Sequence, residues 1–370
     1  GGLIGALSYE AKWAHNPSTC LSRSYLYYAD RFIVFDHQSR TTFLVFLAPV
    51  DEPDQAQHWL SNIRARLDEV SGTLTVKPLL RQDHGLEVIE KSVYIAQVKR
   101  CQAELVKGES YELCLTTQIE LRPPACAWSY YVALRLTNPA PFSAYITLPD
   151  RTVACSSPEK FLSVDRRRVI EAKPIKGTRA RVFDATEDAR IVEALRSSEK
   201  DRAENLMITD LLRHDLGANA VLGSIDVPYN RAIETYATVH QMVSTIRGQL
   251  RPGRTSVDVV EDAFPGGSMT GAPKHRSVRI LADIERRERG LYAGNIGYLS
   301  TCGQTKWNVV IRTAVITKSQ MSIGAGGAVV AQSDPEDEYR EMLIKVFPLL
   351  RPLGFESLAQ LELILAAHES

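Results

Sequence analysis

The chain has 370 residues, 44% apolar and 24% charged, which is enough for one large core or two moderate ones. Lys plus Arg and Asp plus Glu number 44 each, so the formal net charge is zero. That argues against a general nucleic-acid or membrane-surface binder. The apolar stretch 43–50 is too short to span a bilayer, and no signal-peptide pattern is visible. Cys20, Cys101, Cys114, Cys126, Cys155 and Cys302 are scattered without zinc or redox spacing. They are expected to be mostly buried thiols in a reducing compartment. The opening GGLIGALSY reads as the middle of a sheet, so a fragment of a longer chain is expected.

In chain order, 25–29, 32–35 and 42–47 are rich in Tyr, Phe, Ile and Val and predict strands. The spacing of Trp59, Leu60, Ile63 and Leu67 predicts a helix over 54–70. Residues 74–86 read as a connection, and 87–107 as an amphipathic helix with Gly108 as its C-cap. A strand is predicted at 110–117, a helix at 128–136, and short strands at 143–148, 152–156, 161–164 and 169–172. Helices follow at 184–195 and 200–216, then a long or bent strand at 236–250. Helices at 257–264 and 272–289 flank a glycine-rich loop. Strands at 292–299, 306–316 and 321–330 precede closing helices at 335–349 and 356–367. Strand clusters and helix clusters do not alternate one for one. This predicts an α+β fold with a large, mostly antiparallel sheet.

The chain is organised around 171–181, EAKPIKGTRAR. Pro174 fixes φ and biases Lys173 toward an extended backbone, while Gly177 permits a tight turn. Lys176 is therefore held on a short, stiff element at the end of a strand. Asp201 and Glu204 lie three apart on one helix face, and Glu338, Glu341 and Lys345 share a face of another. Two such helices meeting across Mg²⁺ would leave water-exchangeable positions for substrate oxygens; singly, each is also what a solvated face looks like. PGGSMTGAPK at 265–274 offers backbone N–H groups to an anion but is not a P-loop. Residues 324–328, GAGGA, read as a second turn or a bulge. Arg312, in a predicted apolar strand, needs a carboxylate partner there. Glu159, in SPEKF, is a candidate acid–base counterpart to Lys176.

These residues carry a resemblance. SPE at 157–159, PIKGT at 174–178, AENLMITDLLRHDLG at 203–217, VHQMVSTIRG at 239–248, PGGSMTGAPK, and GAGGAVVAQSDPEDEYREMLIK at 324–345 resemble the chorismate-utilising enzymes. The resemblance is dense over the last two-thirds and looser over the first hundred residues. Within that family, PIKGT and SYELCLT resemble aminodeoxychorismate synthases, whereas anthranilate synthases have alanine at the lysine position. The resemblance implies amination of chorismate at C4 through a covalent Lys176 intermediate, with Glu159 protonating the leaving hydroxyl. It implies Mg²⁺ as cofactor, ligated by Glu204 and Glu341 directly and by Asp201 and Glu338 through water. It implies substrate contacts from Tyr292, Arg312, Gly326, Gly327, Lys345, Ser268, Thr270 and Thr178. It also implies ammonia from a fused or separate glutaminase. A cytoplasmic location is expected, with organellar import by a segment upstream of Gly1 as the alternative.

The implied fold is two interlocked α/β subdomains forming a sandwich of large, mostly antiparallel sheets with helices outside. The expected division is an N-terminal sheet region (1–80), a catalytic domain (87–350) and a C-terminal helix (351–370). Gln241 departs from the histidine frequent in the family, and Asp201 from a frequent glutamate. The competing expectations are an anthranilate synthase component I, against which Lys176 argues, and a non-catalytic chorismate-binding homologue. A nucleophilic lysine must be neutral, so nearby cations or burial are expected to lower its pKa. Burial is expected to raise that of Glu159.

Overall fold

The computed structural model describes residues 1–12, 24–47, 53–70, 85–236 and 239–368. Cys20 and most of the expected 74–86 connection lie outside them. Strands β1 (Gly2–Leu7), β2 (Tyr25–Ala29), β3 (Arg31–Asp36) and β4 (Thr41–Phe46) precede helices α1 (Pro53–Glu69) and α2 (Lys91–Val106). Next come β5 (Glu112–Leu121), α3 (Ala127–Thr137), β6 (Phe142–Thr147), β7 (Thr152–Ser157), β8 (Lys160–Val164), β9 (Val169–Lys173) and β10 (Ile175–Ala180). Helices α4 (Ala185–Ser197) and α5 (Glu199–Gly217) lead to β11 (Asp226–Thr235) and β12 (Val239–Gln249). Then follow α6 (Ser256–Ala263), the short β13 (Gly271–Ala272) and α7 (Lys274–Glu285). The remaining elements are β14 (Asn295–Ser300), β15 (Thr305–Asn308), β16 (Thr313–Ile316), β17 (Met321–Val329), α8 (Pro335–Leu350) and α9 (Leu358–His368).

A nine-stranded sheet runs β10-β12-β9-β8-β15-β14-β1-β2, with β11 also on β12. A six-stranded sheet runs β13-β5-β17-β16-β7-β6, and β3 and β4 form a hairpin. The strand pairs of both large sheets are antiparallel. Helices α3, α7 and α8 pack on the six-stranded sheet, and α4 and α5 on the nine-stranded one. Between the sheets, Ala6, Val153, Cys155, Ile296 and Val310 join β1, β7 and β14 in one apolar cluster. The expected sandwich is the fold observed.

The helices that carry the acids begin where the sequence caps them. Ser198 Oγ accepts the Asp201 N–H of α5 at 3.3 Å. Asp334 Oδ1 accepts the Glu336 and Asp337 N–H groups of α8 at 2.9 and 3.1 Å. Each side chain satisfies backbone donors that the first helical turn leaves free.

Several elements differ from expectation. Helix α2 starts at Lys91, because Glu87 forms an antiparallel bridge with Glu120. Strand β11 runs through a segment whose Pro228 and polar residues hide the pattern; it pairs with β12 with two register shifts. The single strand expected over 306–316 is two strands in different sheets, β15 and β16. Arg312 sits at the switch with φ 52°. It is not a strand arginine paired with a carboxylate: its Nη1 donates to the Lys345 carbonyl at 2.6 Å.

Residues 324–328 form neither a turn nor a bulge. They lie inside β17 and pair with β5 in unbroken register from Gly324↔Gln118 to Ala328↔Cys114. Their glycines serve close approach instead. A Cβ at Gly324 would fall 2.1 Å from the Tyr292 ring, and one at Gly326 would fall 2.0 Å from the Leu115 carbonyl oxygen. Gly326→Ala therefore drives a methyl into the backbone of β5. It is expected to cost about 3 kcal/mol or more, read as a lowered urea midpoint; an unchanged midpoint would show that β17 relaxes freely.

Candidate active site

Strand β9 ends at Lys173, and Pro174 passes the chain to β10 with a register shift between Ile175 and Thr178. Gly177 takes φ 81°, and a Cβ there would lie 2.9 Å from the Asp201 carboxyl and Leu195. The glycine is thus needed both for its backbone angle and for the approach of α5. This places Lys176 in the interior, 9% exposed. Its Nζ donates to Glu112 Oε1 at 2.8 Å and lies 3.9 Å from Glu204 Oε2.

Carboxylates, not cations, surround the lysine. Burial works against the Lys176 ammonium, but Glu112 and Glu204 more than offset it and hold its pKa above the ordinary lysine value. The expected lowering is therefore not what this arrangement produces. Glu112 is the residue that sequence reasoning missed. Its signal was present: in β5, Leu113, Leu115, Ile119 and Leu121 face the helices, so 112 and 114 face the other sheet. A charged residue on that inward face calls for a buried partner.

Glu159 follows β7 and is buried. Burial pushes its carboxyl up to about 7, while a hydrogen bond with the Ser268 side chain and the nearby charge of Lys176 pull it down. This matches the expected direction. Ser268 is on the glycine-rich loop between α6 and α7, as expected of that motif. Thr270, on the same loop, is fully buried and donates to the Gly267 carbonyl at 3.1 Å, so its hydroxyl braces its own loop. Thr178 accepts from Gln241 Nε2 at 3.4 Å across β10 and β12.

Helices α5 and α8 bring their acids to the same region. A Cβ on Gly327 would meet Glu338 Oε2 at 2.8 Å, Lys345 Nζ at 3.6 Å and Glu341 Oε1 at 3.8 Å. Lys345 Nζ donates to the Gly326 carbonyl at 2.8 Å and pairs with Glu341 Oε1 at 2.7 Å. That pairing is the foremost reason Glu341 is held below the usual carboxylate range. Glu204 is pushed up to about 7, first by burial, with Glu112 and Glu341 adding and Lys176 and Lys200 opposing. Glu338 is also raised, chiefly by burial, although Ser333 donates to its Oε1 at 2.7 Å. Asp201 is committed to Arg179 Nη2 at 2.7 Å. Tyr292 is buried, with its hydroxyl raised by burial. Arg312 is lowered to about 10 by burial, which makes it a cation short of counter-charge.

The donor chemistry fits a hard divalent cation. Glu338 Oε2 is buried with no hydrogen-bond partner, and Glu204 and Glu338 both favour protonation where they stand. The positions are less complete. Among the described residues, no three His, Cys, Asp or Glu side chains are gathered closely enough to hold a metal ion. The Lys200 ammonium lies between two of the acids, 4.0 Å from Glu204 Oε1 and 3.7 Å from Glu338 Oε1. Among the described residues, no helix is long and apolar enough to cross a membrane.

The sequence profile of a family described as chorismate binding enzyme matches residues 2–351. The chain is 44% identical over 368 residues to an aminodeoxychorismate synthase of Streptomyces griseus, covering 95% of this chain and 50% of that protein. It is 42% identical to a chloroplastic aminodeoxychorismate synthase of Arabidopsis thaliana, covering 93% and 39%. With an aminodeoxychorismate synthase component 1 of Salmonella typhimurium it shares 36%, covering 88% and 69%. The chain thus spans half or less of the first two relatives' length. In fold it is similar to anthranilate synthase component I from Streptococcus pneumoniae TIGR4, with TM-score 0.81 at 24% identity over 94% of this chain and 80% of that one.

The raised pKa of Glu159 carries a stability prediction. The folded state favours the neutral acid, a preference fully present below its ordinary 4.5 and lost as pH rises through about 7. Glu159→Gln removes the buried charge. It is expected to stabilise the protein by up to about 3 kcal/mol near pH 8.5, and to leave a much smaller difference near about pH 5. Thermal melts at the two pH values check this, and equal shifts at both would show that Glu159 is not desolvated.

Proposed function

From the premise that the chain belongs to the chorismate binding enzyme family, we propose that it aminates chorismate at C4 to give 4-amino-4-deoxychorismate, a step toward 4-aminobenzoate and folate. The observation that carries this reading is the presence, in one buried site, of Lys176, held by Glu112, and of Glu159, a carboxyl pushed up to about 7 by burial and within reach of the lysine's charge.

Each residue has a definite task. Lys176, once its ammonium has lost a proton, attacks ring C2. As the ring double bonds shift, the C4–O bond breaks and Glu159 protonates the departing hydroxyl. Its neutral form is favoured by burial for that donation. Ammonia then adds at C4, and the C2–N bond pair returns to Lys176. Arg312, Lys345 and the β17 backbone at Gly326 and Gly327 hold the substrate's carboxylates, with Arg312 the cation least compensated by the protein. Tyr292 and Thr178 line the ring, and Ser268 holds Glu159. Glu204 and Glu341 would hold Mg²⁺, with Asp201 and Glu338 behind them. Held there, the ion would supply positive charge to a carboxylate of the substrate. Ammonia comes from a glutaminase, fused or separate.

The test is product identification from chorismate, Mg²⁺ and ammonium by mass spectrometry. Aminodeoxychorismate is the expected product; anthranilate plus pyruvate would overturn the reading. Lys176→Ala is expected to lower aminodeoxychorismate formation by at least about a thousandfold. Glu204→Gln and Glu341→Gln are expected to raise the Mg²⁺ concentration for half-maximal activity by about tenfold or more. An unchanged Mg²⁺ dependence would remove them as ligands.

A further inference from the structure

The Glu112 carboxylate is used on one side only. Its side chain is buried, with the residue 1% exposed. Oε1 accepts from Lys176 Nζ at 2.8 Å, whereas Oε2 is buried and has no hydrogen-bond donor. The position is rigid. The Tyr111 N–H donates to the Ala272 carbonyl at 2.8 Å, Ser110 Oγ donates to the Glu112 carbonyl at 2.8 Å, and Glu112 pairs with Ala272 between β5 and β13. The glycine-rich loop therefore fixes the strand end from which this carboxylate projects. A charged acceptor oxygen buried without a donor is destabilising. It also marks where a ligand with an N–H or O–H supplies the missing bond.

We propose that Glu112 Oε2 is the ammonia-binding acceptor of this site: it takes a hydrogen bond from ammonia while Oε1 keeps Lys176. This rests on the C4-amination reading. The geometry suits two nitrogens in succession. The oxygens of one carboxylate are separated by one carbon, as ring positions C2 and C4 are. A group that aims the C2 nucleophile with one oxygen aims the C4 nucleophile with the other. Ammonia is small enough for an interior position, neutral, and rich in donors, and its lone pair stays free while an N–H is held. In the step it serves, that lone pair forms the C4–N bond, the ring double bonds shift, and the C2–N pair leaves on Lys176. The new C4 nitrogen carries the positive charge that the Lys176 adduct nitrogen gives up.

The experiment is steady-state kinetics with ammonium chloride as the only nitrogen source, on the wild type, Glu112→Gln and Glu112→Asp. In Glu112→Gln the amide oxygen still accepts from Lys176, but an NH₂ group replaces the acceptor that faces ammonia. The expected result is a KM for ammonium raised by about tenfold or more, with the KM for chorismate within about twofold. The mass of the Lys176 adduct, formed with chorismate when ammonium is left out, is expected to persist. An unchanged KM for ammonium with a lowered kcat would overturn the proposal, since Glu112 would then serve Lys176 alone. Where Glu112→Gln does not fold, judged by circular dichroism, Glu112→Asp is read in the same way, because its retracted carboxylate also loses ammonia. A wild type that forms no aminodeoxychorismate removes the C4-amination reading itself. A wild type that forms it, with variants whose KM for ammonium is unchanged, removes only the Glu112 assignment.

Discussion

Lys176 and Glu112 meet at 2.8 Å across the interior, and they come from different sheets. Lys176 is on β10 of the nine-stranded sheet, and Glu112 is on β5 of the six-stranded one. Either charge alone would cost several kcal/mol at this depth, so each position depends on the other. The backbone on both sides is set accordingly. The irregularity at Gly177 turns Lys176 inward, and the pairing of β5 with β13 holds Glu112 against the loop. The ion pair is therefore a tie between the halves of the sandwich as well as part of the site. On the proposed function its stabilising and chemical roles are opposed: the bond that settles the ammonium in place favours the proton that the lysine must lose before it attacks.

Helix α8 depends on a second constraint, the bare backbone of β17. Because Gly327 has no side chain, Glu338, Glu341 and Lys345 fold down onto the strand, and Lys345 reaches the Gly326 carbonyl. Gly324 leaves room for the Tyr292 ring in the same way. Three glycines in a central strand are unfavourable for strand formation by themselves. Here the neighbours supply what is missing, with β5 bonded along the whole length of β17. The strand works as a floor on which charged side chains lie close to backbone amides, and such a floor suits recognition of a carboxylate.

Much of this was legible in the sequence because the signals were local. The helices predicted at 200–216 and 335–349 lie close to where α5 and α8 are found, and the three- and four-residue spacing of the acids placed them on shared faces. Lys176 stood out through its flanking Pro174 and Gly177. What stayed hidden depended on distant partners. Gly324 to Ala328 read as a turn because composition does not reveal that a neighbouring strand and the Tyr292 ring take the space of the missing side chains. Arg312 read as a strand residue because Val309 to Ile311 before it and Ala314 to Ile316 after it are apolar; composition does not reveal the left-handed backbone at Arg312 where the chain passes to the other sheet. Glu112 was hidden by its neighbours in SYELCLT, since its partner lies 64 positions further along the chain. Lys200 likewise carries no local signal of its place, although it lies between acids of two helices.

The distribution of charge divides the site into two ends. Around Lys176 and Lys200 burial leaves the carboxylates under-compensated: it pushes Glu159 and Glu204 up to about 7, with Glu112 and Glu341 adding at Glu204, and it raises Glu338 as well. Around Arg312 the imbalance is reversed, because burial lowers the guanidinium to about 10 and a single carbonyl takes its Nη1. A dianionic ring acid with Mg²⁺ and a neutral amine would correct both ends together. On the proposed function, the substrate's carboxylate would answer Arg312, the cation would answer the helix acids, and ammonia would answer the unbonded oxygen of Glu112. Each imbalance costs stability in the free chain, and a component that removed it would stabilise the fold as it bound. That linkage is a physical reason for the acid-rich end to stay uncompensated: neutralising it within the protein would make the fold more stable and leave less for the ligands to correct.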